Sequence, residues 1–295
     1  MLKCIFWIWT IGSVALIIPW ILVYMGYFPV DSRWTALGFV PPSGFIALFL
    51  PSLLGFLIKR RWKLILGMLS IYLLFFVIFG DFVKKKKKPH RFKPGADAQE
   101  ISAVALNLRY YSYGFDAITD AINKIDADIY LLSENDITEE EVVKLRKAIA
   151  PKVFRMGRKE GTAIISKYPV LSFREVLLPT HQASLHENNE VDDQHLNPRR
   201  SFVHAVINVN GIPVNAISIR FLAGRAKSRA PWHVLDWGFY VLESQLKELD
   251  FFLDYISDLK GPVIFGGDLN ATPSSIVVRK ITEKAVDAYL QDHVW

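Results

Sequence analysis

An acidic and an amide side chain stand two residues apart just after an apolar run late in the chain. The run Pro262–Phe265 is followed by two glycines and then by Asp268, Leu269 and Asn270. In a strand, alternate residues project to the same side, so Asp268 and Asn270 can converge on one reacting group. An acid that takes a proton and an amide that donates a hydrogen bond suit phosphate chemistry. In isolation, the same residues are also common turn formers.

Two earlier apolar strands also end in side chains that suit a metal or a phosphate. The segment Ile101–Asn107 predicts a strand that ends in an amide, and Ile129–Leu132 predicts a strand that is followed, after one serine, by Glu134. Glu134 and Asp268 are therefore expected on one rim of the sheet. Glu134 alone is equally consistent with a solvated strand end. Asn135 and Asp136 are expected to cap the helix that follows.

The pattern between these strands predicts a mixed α/β domain. Apolar residues recur at helical spacing from Phe115 to Ile125, and a hairpin is expected to turn at Asn210 and Gly211. The other predicted elements are helices over 139–150 and 240–256 and strands over 161–166, 203–209 and 214–219. Strands interleaved with helices, some of them joined by hairpins, indicate a layered domain with a mixed sheet.

Net charge separates the chain into two parts. Residues 1–98 hold 13 Lys or Arg against 3 Asp or Glu and so carry +10, which leaves −4 for residues 99–295 out of the total of +6. A groove for duplex DNA usually has a basic excess in its own domain, and this domain has none overall. A local group of basic residues (Arg199, Arg200, Arg220, Arg225, Lys227 and Arg229) predicts either a phosphate contact or a solvated loop.

Three uncharged runs account for the high hydrophobic fraction of 51%. They are Cys4–Pro29, Trp34–Ile58 and Leu64–Gly80, and each is long enough, or nearly so, to cross about 30 Å of hydrocarbon. We therefore predict transmembrane helices over about 5–27, 37–58 and 64–82. A cleaved signal peptide is the alternative for the first run, but its apolar core is too long and no small-residue cleavage site follows it.

The predicted domains are a membrane region over 1–83, a basic juxtamembrane linker over 84–99 and a catalytic domain over 100–295. The linker contains five consecutive lysines, Lys84–Lys88, which suit anionic lipid head groups or a simple stop-transfer flank. Basic residues nearly balance on the two sides of the membrane, so charge does not decide the topology. The single cysteine, Cys4, excludes an internal disulfide.

Taken together, in this order and at these separations, the segments that end at Asn107, Glu134 and Asn270 resemble the endonuclease/exonuclease/phosphatase superfamily. The run Gly267–Pro273 carries the most specific part of the match, and Gly161–Val170 adds another. The resemblance begins near Ile101, runs to the end of the chain and does not include the membrane region. It implies a layered α/β sandwich of the DNase I-like type, which here follows the predicted three-helix membrane region.

The resemblance also implies a role for each residue. Glu134 would hold Mg²⁺, with Mn²⁺ as the alternative, since hard cations prefer oxygen ligands. Asn107 would support this metal site. Asp268 would orient or deprotonate the attacking water, and Asn270 would donate a hydrogen bond to a phosphate oxygen as charge develops. The reaction implied is metal-dependent hydrolysis of a phosphoester or phosphoanhydride bond.

The sequence departs from the family pattern in two places. Members usually carry a histidine at the end of the strand that here contains Ser218 and Arg220, and an arginine cannot donate a proton in the same way because it stays charged. The family closes its site with an Asp-His pair on a late strand, and Asp292-His293 stands too soon after Asp268 to be that pair. We therefore expect the last strands of the sheet to be missing through C-terminal truncation.

The leading interpretation is a multi-pass protein of the cell membrane whose catalytic domain is extracytoplasmic. Its expected partners are the bilayer and a phosphate-bearing, lipid-linked substrate such as an isoprenoid pyrophosphate, an analogy that rests on membrane-bound relatives of similar layout. Two alternatives stay open: a nuclease of the same superfamily, and a membrane-bound binding module that has lost catalysis. The oligomeric state is not predicted.

Overall fold

The computed structural model describes most of the predicted catalytic domain and short pieces of the predicted membrane region. The described residues are 7–12, 15, 52, 69–70, 73, 100–135, 137–157, 161–179, 200–223, 231–271 and 275–288, with the backbone alone at 231–240. The chain divides into two compact units, Met1–Lys93 with Ala271–Trp295, and Pro94–Asn270. The predicted domain limits at 83 and 99 lie outside the described residues and stay predictions.

The first sheet of the unit Pro94–Asn270 has four strands in the order β1-β2-β4-β3. β1 and β2 are parallel, and the other two pairs are antiparallel. The elements are β1 (Ala103–Asn107), α1 (Phe115–Ile125), β2 (Ile129–Ser133), α2 (Glu139–Ala148), β3 (Val153–Met156) and β4 (Ala163–Ser166).

The second sheet has four strands in the order β5-β6-β7-β8. β5, β6 and β7 are antiparallel neighbours, and β7 and β8 are parallel. The elements are β5 (Val170–Leu177), β6 (Ser201–Val209), β7 (Ile212–Arg220), α3 (Pro231–Ser257) and β8 (Val263–Asp268). The other unit contains α4 (Ile276–Lys284).

The two sheets pack face to face, and the alternation of side chains along β2 shows why. Ile129 and Leu131 are buried in one cluster with residues of β6 and β7, including Ala205 and Ala216. Leu132 points the opposite way, into a second buried cluster with residues of α1 and α2. Because β2 is buried on both faces, its sequence is a continuous apolar run and not an alternating one.

The far face of the second sheet packs against α3 through aromatic rings. Phe252 of α3 makes edge-to-face contacts with Phe202 of β6, at 5.5 Å between ring centroids, and with Phe265 of β8, at 5.2 Å. Such contacts add to the stabilisation that burial of the rings gives. The domain therefore has four layers, with helices on the outside of both sheets, and the predicted mixed α/β sandwich is confirmed.

A buried histidine lies between β6 and α3. Arg174 can only donate a hydrogen bond, and its Nε lies 3.2 Å from Nδ1 of His204, so Nδ1 is an acceptor and the ring is neutral. Nε2 then donates to Oδ1 of Asn215 at 2.9 Å. Burial, together with the charge of Arg174, lowers the pKa of His204 below its ordinary value, although the bond to Asn215 acts in the opposite direction.

Two glycines let β8 fit between its neighbours. A Cβ on Gly266 would lie 3.1 Å from Cβ of Ala105 and 3.2 Å from a methyl group of Leu131, so this position allows the two sheets to approach closely. Gly267 has a φ of +139°, and a Cβ there would overlap the carbonyl oxygen of Ile219. Only glycine fits the second position without moving β7.

The cap predicted for α2 was wrong. Thr138 caps the helix, since its side chain accepts a hydrogen bond from the backbone N–H of Glu141. In return, the side-chain carboxylate of Glu141 accepts a hydrogen bond from the backbone N–H of Thr138. Asn135 is instead buried, where its Oδ1 accepts a hydrogen bond from the Tyr111 hydroxyl at 2.7 Å. Asp136 lies outside the described residues.

The three predicted membrane helices fall almost entirely outside the described residues. Among the residues that the structure describes, no helix is both long enough and apolar enough to cross a membrane. Residues 7–12 are helical, and the Thr10 hydroxyl lies 2.8 Å from that of Ser52, with both side chains buried.

The substitution Gly267→Ala should destabilise the domain strongly. The new methyl group would meet the backbone of β7, and we expect the free energy of unfolding to fall by roughly 3 kcal/mol or more. Gly266→Ala is the matched comparison, since it meets only side chains and should cost about 1 kcal/mol. Urea denaturation measures both, and equal stability of the two variants would contradict the assigned fit of β8.

Stability of the domain should depend on pH through His204. The unfolded chain takes up a proton near the ordinary pKa of 6.5 whereas the folded chain resists it, so the folded state loses relative stability as the pH falls below that value. We expect a lower free energy of unfolding at about pH 5.5 than at about pH 7.5, and a weaker dependence in His204→Gln. Urea titrations at the two pH values test this, and an unchanged slope in the variant would count against it.

Candidate active site

The ends of four strands meet on one side of the sandwich because both parallel pairs run in the same sense there. Asn107 at the end of β1 pairs in register with Ser133 of β2, and Arg220 at the end of β7 pairs with Asp268 of β8. Between them is a cleft of about 290 Å³. Its lining residues are Asn107, Arg109, Tyr110, Glu134, Arg220, Ala223, Asp268 and Asn270.

A hydrogen bond between Asn107 and Asp268 joins the two sheets at the base of the cleft. Nδ2 of Asn107 donates to Oδ2 of Asp268 at 2.8 Å, and Oδ1 of Asn107 accepts from the backbone N–H of Arg109 at 2.8 Å. Oδ1 of Asp268 accepts from the backbone N–H of Asn270 at 3.0 Å. Both side chains are therefore held in a fixed orientation, as a residue that positions a water molecule must be.

An ion pair between Glu134 and Arg220 joins the two sheets a second time. Nη2 of Arg220 donates to Oε1 of Glu134 at 2.8 Å, and the two side chains are only 15% and 12% exposed. Glu134 follows β2 with a φ of +54°, in the left-handed region. A non-glycine residue in that conformation carries some strain, a feature that clusters at functional sites.

A left-handed turn forms one wall of the cleft. Arg109, Tyr110 and Tyr111 all have φ between 47° and 56°. The ring of Tyr110 is 52% exposed and lies 5.9 Å from the guanidinium carbon of Arg220, and Nη1 of Arg109 donates to the hydroxyl of Tyr113 at 2.9 Å. The turn therefore places the guanidinium group of Arg109 and the exposed ring of Tyr110 in the same cleft as the carboxylates.

Tyr111 anchors this turn to the domain. Its hydroxyl is bonded to Asn135, and its ring stacks on Phe115 of α1 at 5.6 Å between centroids. Burial raises the pKa of Tyr111 far above its ordinary value, and the charge of Glu141 adds to the effect. The hydroxyl therefore stays protonated and keeps its role as a donor.

Side chains of α3 hold the loops that follow β7 and β8. Nε2 of Gln245 donates to the carbonyl oxygens of Leu222, at 2.6 Å, and of Asn270, at 3.1 Å. Glu248 is 2% exposed and accepts from the backbone N–H of Leu222 and from Nε of Arg200. These bonds fix the two loops relative to each other behind the cleft.

The structure brings together all four residues that the sequence proposed for the site: Asn107, Glu134, Asp268 and Asn270. Of the two residues left open on β7, Arg220 lines the cleft. Ser218 is buried and donates to the carbonyl oxygen of Leu132 at 2.6 Å, deeper between the sheets.

Other sequence predictions for the site have different outcomes. Arg200, one of the predicted basic group, is 7% exposed and paired with Glu248, so it does not form a solvated surface with the others. Asp292-His293 lies outside the described residues, as do Arg199, Arg225, Lys227 and Arg229 of the basic group. Arg109 and Tyr110 were missed, and the only signal for them was an Arg-Tyr-Tyr run two residues after a site amide.

The donor atoms around the cleft fit a hard divalent cation in type. Glu134 supplies a carboxylate whose Oε2 accepts no hydrogen bond from the described residues, and Asn107 supplies an amide oxygen. Among the described residues there is no group of three or more His, Cys, Asp or Glu side chains that could hold a metal. A site of one carboxylate, an amide oxygen and water is of the kind that Mg²⁺ uses with phosphate substrates.

Comparison with known proteins identifies a family. The model of the Endonuclease/Exonuclease/phosphatase family matches residues 104–295. No curated protein matches the chain.

Three solved structures resemble this one at 16% sequence identity. TDP2 from D. rerio, complexed with a single-strand DNA product, has a TM-score of 0.45 over 63% of this chain and 66% of its own. A β-hairpin deletion mutant of beta toxin from Staphylococcus aureus has a TM-score of 0.44 over 63% and 73%. Sphingomyelinase C from Streptomyces griseocarneus has a TM-score of 0.45 over 63% and 70%. These values do not identify a substrate.

The substitution Glu248→Gln should destabilise the domain that carries the cleft. It removes a buried negative charge that accepts from Nε of Arg200 and from the backbone N–H of Leu222, and we expect the free energy of unfolding to fall by roughly 3 kcal/mol. Glu243→Gln on the same helix is the control, because Glu243 is 56% exposed and its pair with Lys247 should be worth less than about 0.5 kcal/mol. Urea denaturation compares them, and similar losses would contradict the assigned role of Glu248.

Proposed function

The chain belongs to the endonuclease/exonuclease/phosphatase family, and from that membership we propose that it hydrolyses a phosphoester or phosphoanhydride bond with the help of a divalent cation. One observation carries the proposal. Two polar contacts between the sheets hold Asn107, Glu134, Asp268 and Asn270 around a single cleft. The family match supports the proposed reaction class, and the cleft supports the choice of residues.

Asp268 is the proposed base or water-orienting group. Its two oxygens are fixed by the side chain of Asn107 and the backbone of Asn270, so the carboxylate presents a constant direction to a water molecule in the cleft. Nδ2 of Asn270 donates one hydrogen to the carbonyl oxygen of Phe221 at 2.8 Å. The second hydrogen of that amide is the proposed donor to a phosphate oxygen.

The metal site would be formed by Glu134 with Oδ1 of Asn107. A bound Mg²⁺ or Mn²⁺ would supply charge neutralisation for the phosphate oxygens. Arg220 and Arg109 line the same cleft, and their positive charges attract an anionic substrate toward it. The two carboxylates and the two guanidinium groups that line the cleft thus have charges that cancel before a cation or substrate binds.

The proposal extends to a multi-pass protein of the cell membrane that acts on a lipid-linked phosphate or isoprenoid pyrophosphate. Thr10 and Ser52 belong to the first and second predicted membrane helices, and their bonded hydroxyls suit packed helices in lipid. Ile8, Ile11 and Leu73 are 70%, 64% and 65% exposed, as lipid-facing side chains would be. The catalytic domain is proposed to be extracytoplasmic, which protease digestion of intact cells would test.

A nuclease is the second candidate, and the aromatic side chains beside the cleft favour it. Tyr110 and Tyr113 are 52% and 67% exposed next to Arg109. Exposed aromatic rings beside a cation suit the stacking of unpaired bases. The net charge of −4 on residues 99–295 argues against binding of duplex DNA. The nuclease candidate is therefore tested with single-stranded DNA as the substrate.

Loss of either carboxylate should remove hydrolysis. With Mg²⁺ and an isoprenoid pyrophosphate as substrate, Asp268→Asn and Glu134→Gln should each lower kcat/KM at least roughly 100-fold, because one loses the base and the other a metal ligand. Phosphate release measures the rate. Asp120→Asn and Glu139→Gln, which change exposed acids on α1 and α2, are the matched controls and should retain activity.

Parallel assays with single-stranded DNA separate the two candidates. Cleavage of DNA without phosphate release from the pyrophosphate would favour the nuclease. If the wild-type chain hydrolyses neither substrate, the proposed function is wrong and a binding module becomes the better explanation. If hydrolysis occurs but Asp268→Asn leaves its rate unchanged, the role proposed for Asp268 is wrong.

A further inference from the structure

Arg220 and Glu134 both line the cleft and form an ion pair with each other. The guanidinium of Arg220 donates to Oε1 of Glu134 at 2.8 Å, and both side chains are largely shielded from water. A shielded ion pair with a charged hydrogen bond is harder to separate than a pair on the surface, because each partner would have to find another countercharge. A cation that binds Glu134 therefore approaches a carboxylate that already has a positively charged partner on Oε1.

The position of Arg220 is built into the fold. Ser218 and Arg220 project to the same side of β7, toward the first sheet. The Ser218 hydroxyl donates to the carbonyl oxygen of Leu132, and the guanidinium of Arg220 donates to Glu134, two residues further along. The carbonyl oxygen of Arg220 accepts from Nη2 of Arg200 at 2.7 Å. These contacts place the guanidinium next to Glu134 before any cation binds.

The backbone of Glu134 is also held in place, which limits the positions that its carboxylate can reach. Its left-handed backbone conformation and the bond from the Tyr110 N–H to its carbonyl oxygen, at 3.1 Å, fix where the side chain starts. The carboxylate therefore extends from a fixed backbone position beside Arg220. A cation and the guanidinium must share, or compete for, one carboxylate.

We propose that Arg220 and a divalent cation compete for Glu134, so that Arg220 sets the cation concentration at which the cleft is loaded. The proposal rests on the proposed function for the identity of the cleft as the cation site. It adds a regulatory role for a residue that stands where the family pattern has a histidine. Cation binding displaces the guanidinium from Glu134, and the guanidinium then faces the space that a phosphate would fill.

Binding of Mn²⁺ to the full-length chain in detergent tests the competition without any measurement of turnover. Arg220→Gln should bind Mn²⁺ at least about tenfold more tightly than wild type, since the loss of one charged hydrogen bond of this kind corresponds to that factor. The free ion is followed by electron paramagnetic resonance. Arg220→Lys should tighten binding less, by about threefold, because lysine is a shorter point charge.

A double-mutant cycle shows whether the effect passes through Glu134. The gain from Arg220→Gln should vanish in the Glu134→Gln background. Arg155→Gln removes a positive charge from β3 and is the control for net charge, with an expected change under about twofold. Any Mn²⁺ binding by histidine side chains elsewhere in the chain is the same in every variant, so it does not affect the comparison.

Unchanged or weaker Mn²⁺ binding in Arg220→Gln overturns the inference, and so does a gain that persists without Glu134. If a denaturation test shows that Arg220→Gln does not fold, Arg220→Lys is the deciding variant. Mn²⁺ affinity in Arg220→Lys that is no higher than in wild type would then overturn the inference. A gain in Mn²⁺ affinity in a chain that hydrolyses no phosphate substrate would support the inference and refute the proposed function, so the two failures are distinguishable.

Discussion

The cleft depends on two polar contacts that cross from one sheet to the other. Asn107 binds Asp268, and Arg220 binds Glu134, each at 2.8 Å. Apolar burial brings the sheets together, but it acts without direction and does not fix which strand ends lie opposite each other. The directional contacts do so, and Gly266 gives the backbone of β8 the room it needs to lie close to β1 and β2.

Much of this arrangement could be predicted from sequence, because buried elements carry strong patterns. The two strands that the sequence did not reveal, Val153–Met156 and Val170–Leu177, both lie at sheet edges, where partial exposure mixes polar with apolar residues. The helix Ile276–Lys284 was also missed, since its β-branched residues favour a strand locally. α3 starts at Pro231, earlier than the predicted residue 240, at a proline that suits a first helical turn.

The candidate site was predictable where motifs follow apolar strands and unpredictable in the Arg109–Tyr111 turn. Asp268 ends β8, and Asn270 lies just beyond it with a φ of +46°, so the motif predicted the pair although strand alternation does not describe it. Ser218 and Arg220 share one face of β7, so periodicity does not separate them, and only the depth of each along the strand places the arginine in the cleft. Arg109 and Tyr110 depend on left-handed conformations that non-glycine residues adopt rarely and that sequence does not announce.

The most direct test of the account is the location of the bound cation and phosphate. A crystal of the chain with Mn²⁺ and a non-hydrolysable phosphate analogue would show the ion by its anomalous scattering. We expect one ion within about 2.3 Å of a Glu134 carboxylate oxygen, with the phosphate beside Asp268 and Asn270. An ion or phosphate bound away from the four strand ends, with Glu134 still paired to Arg220, would contradict it.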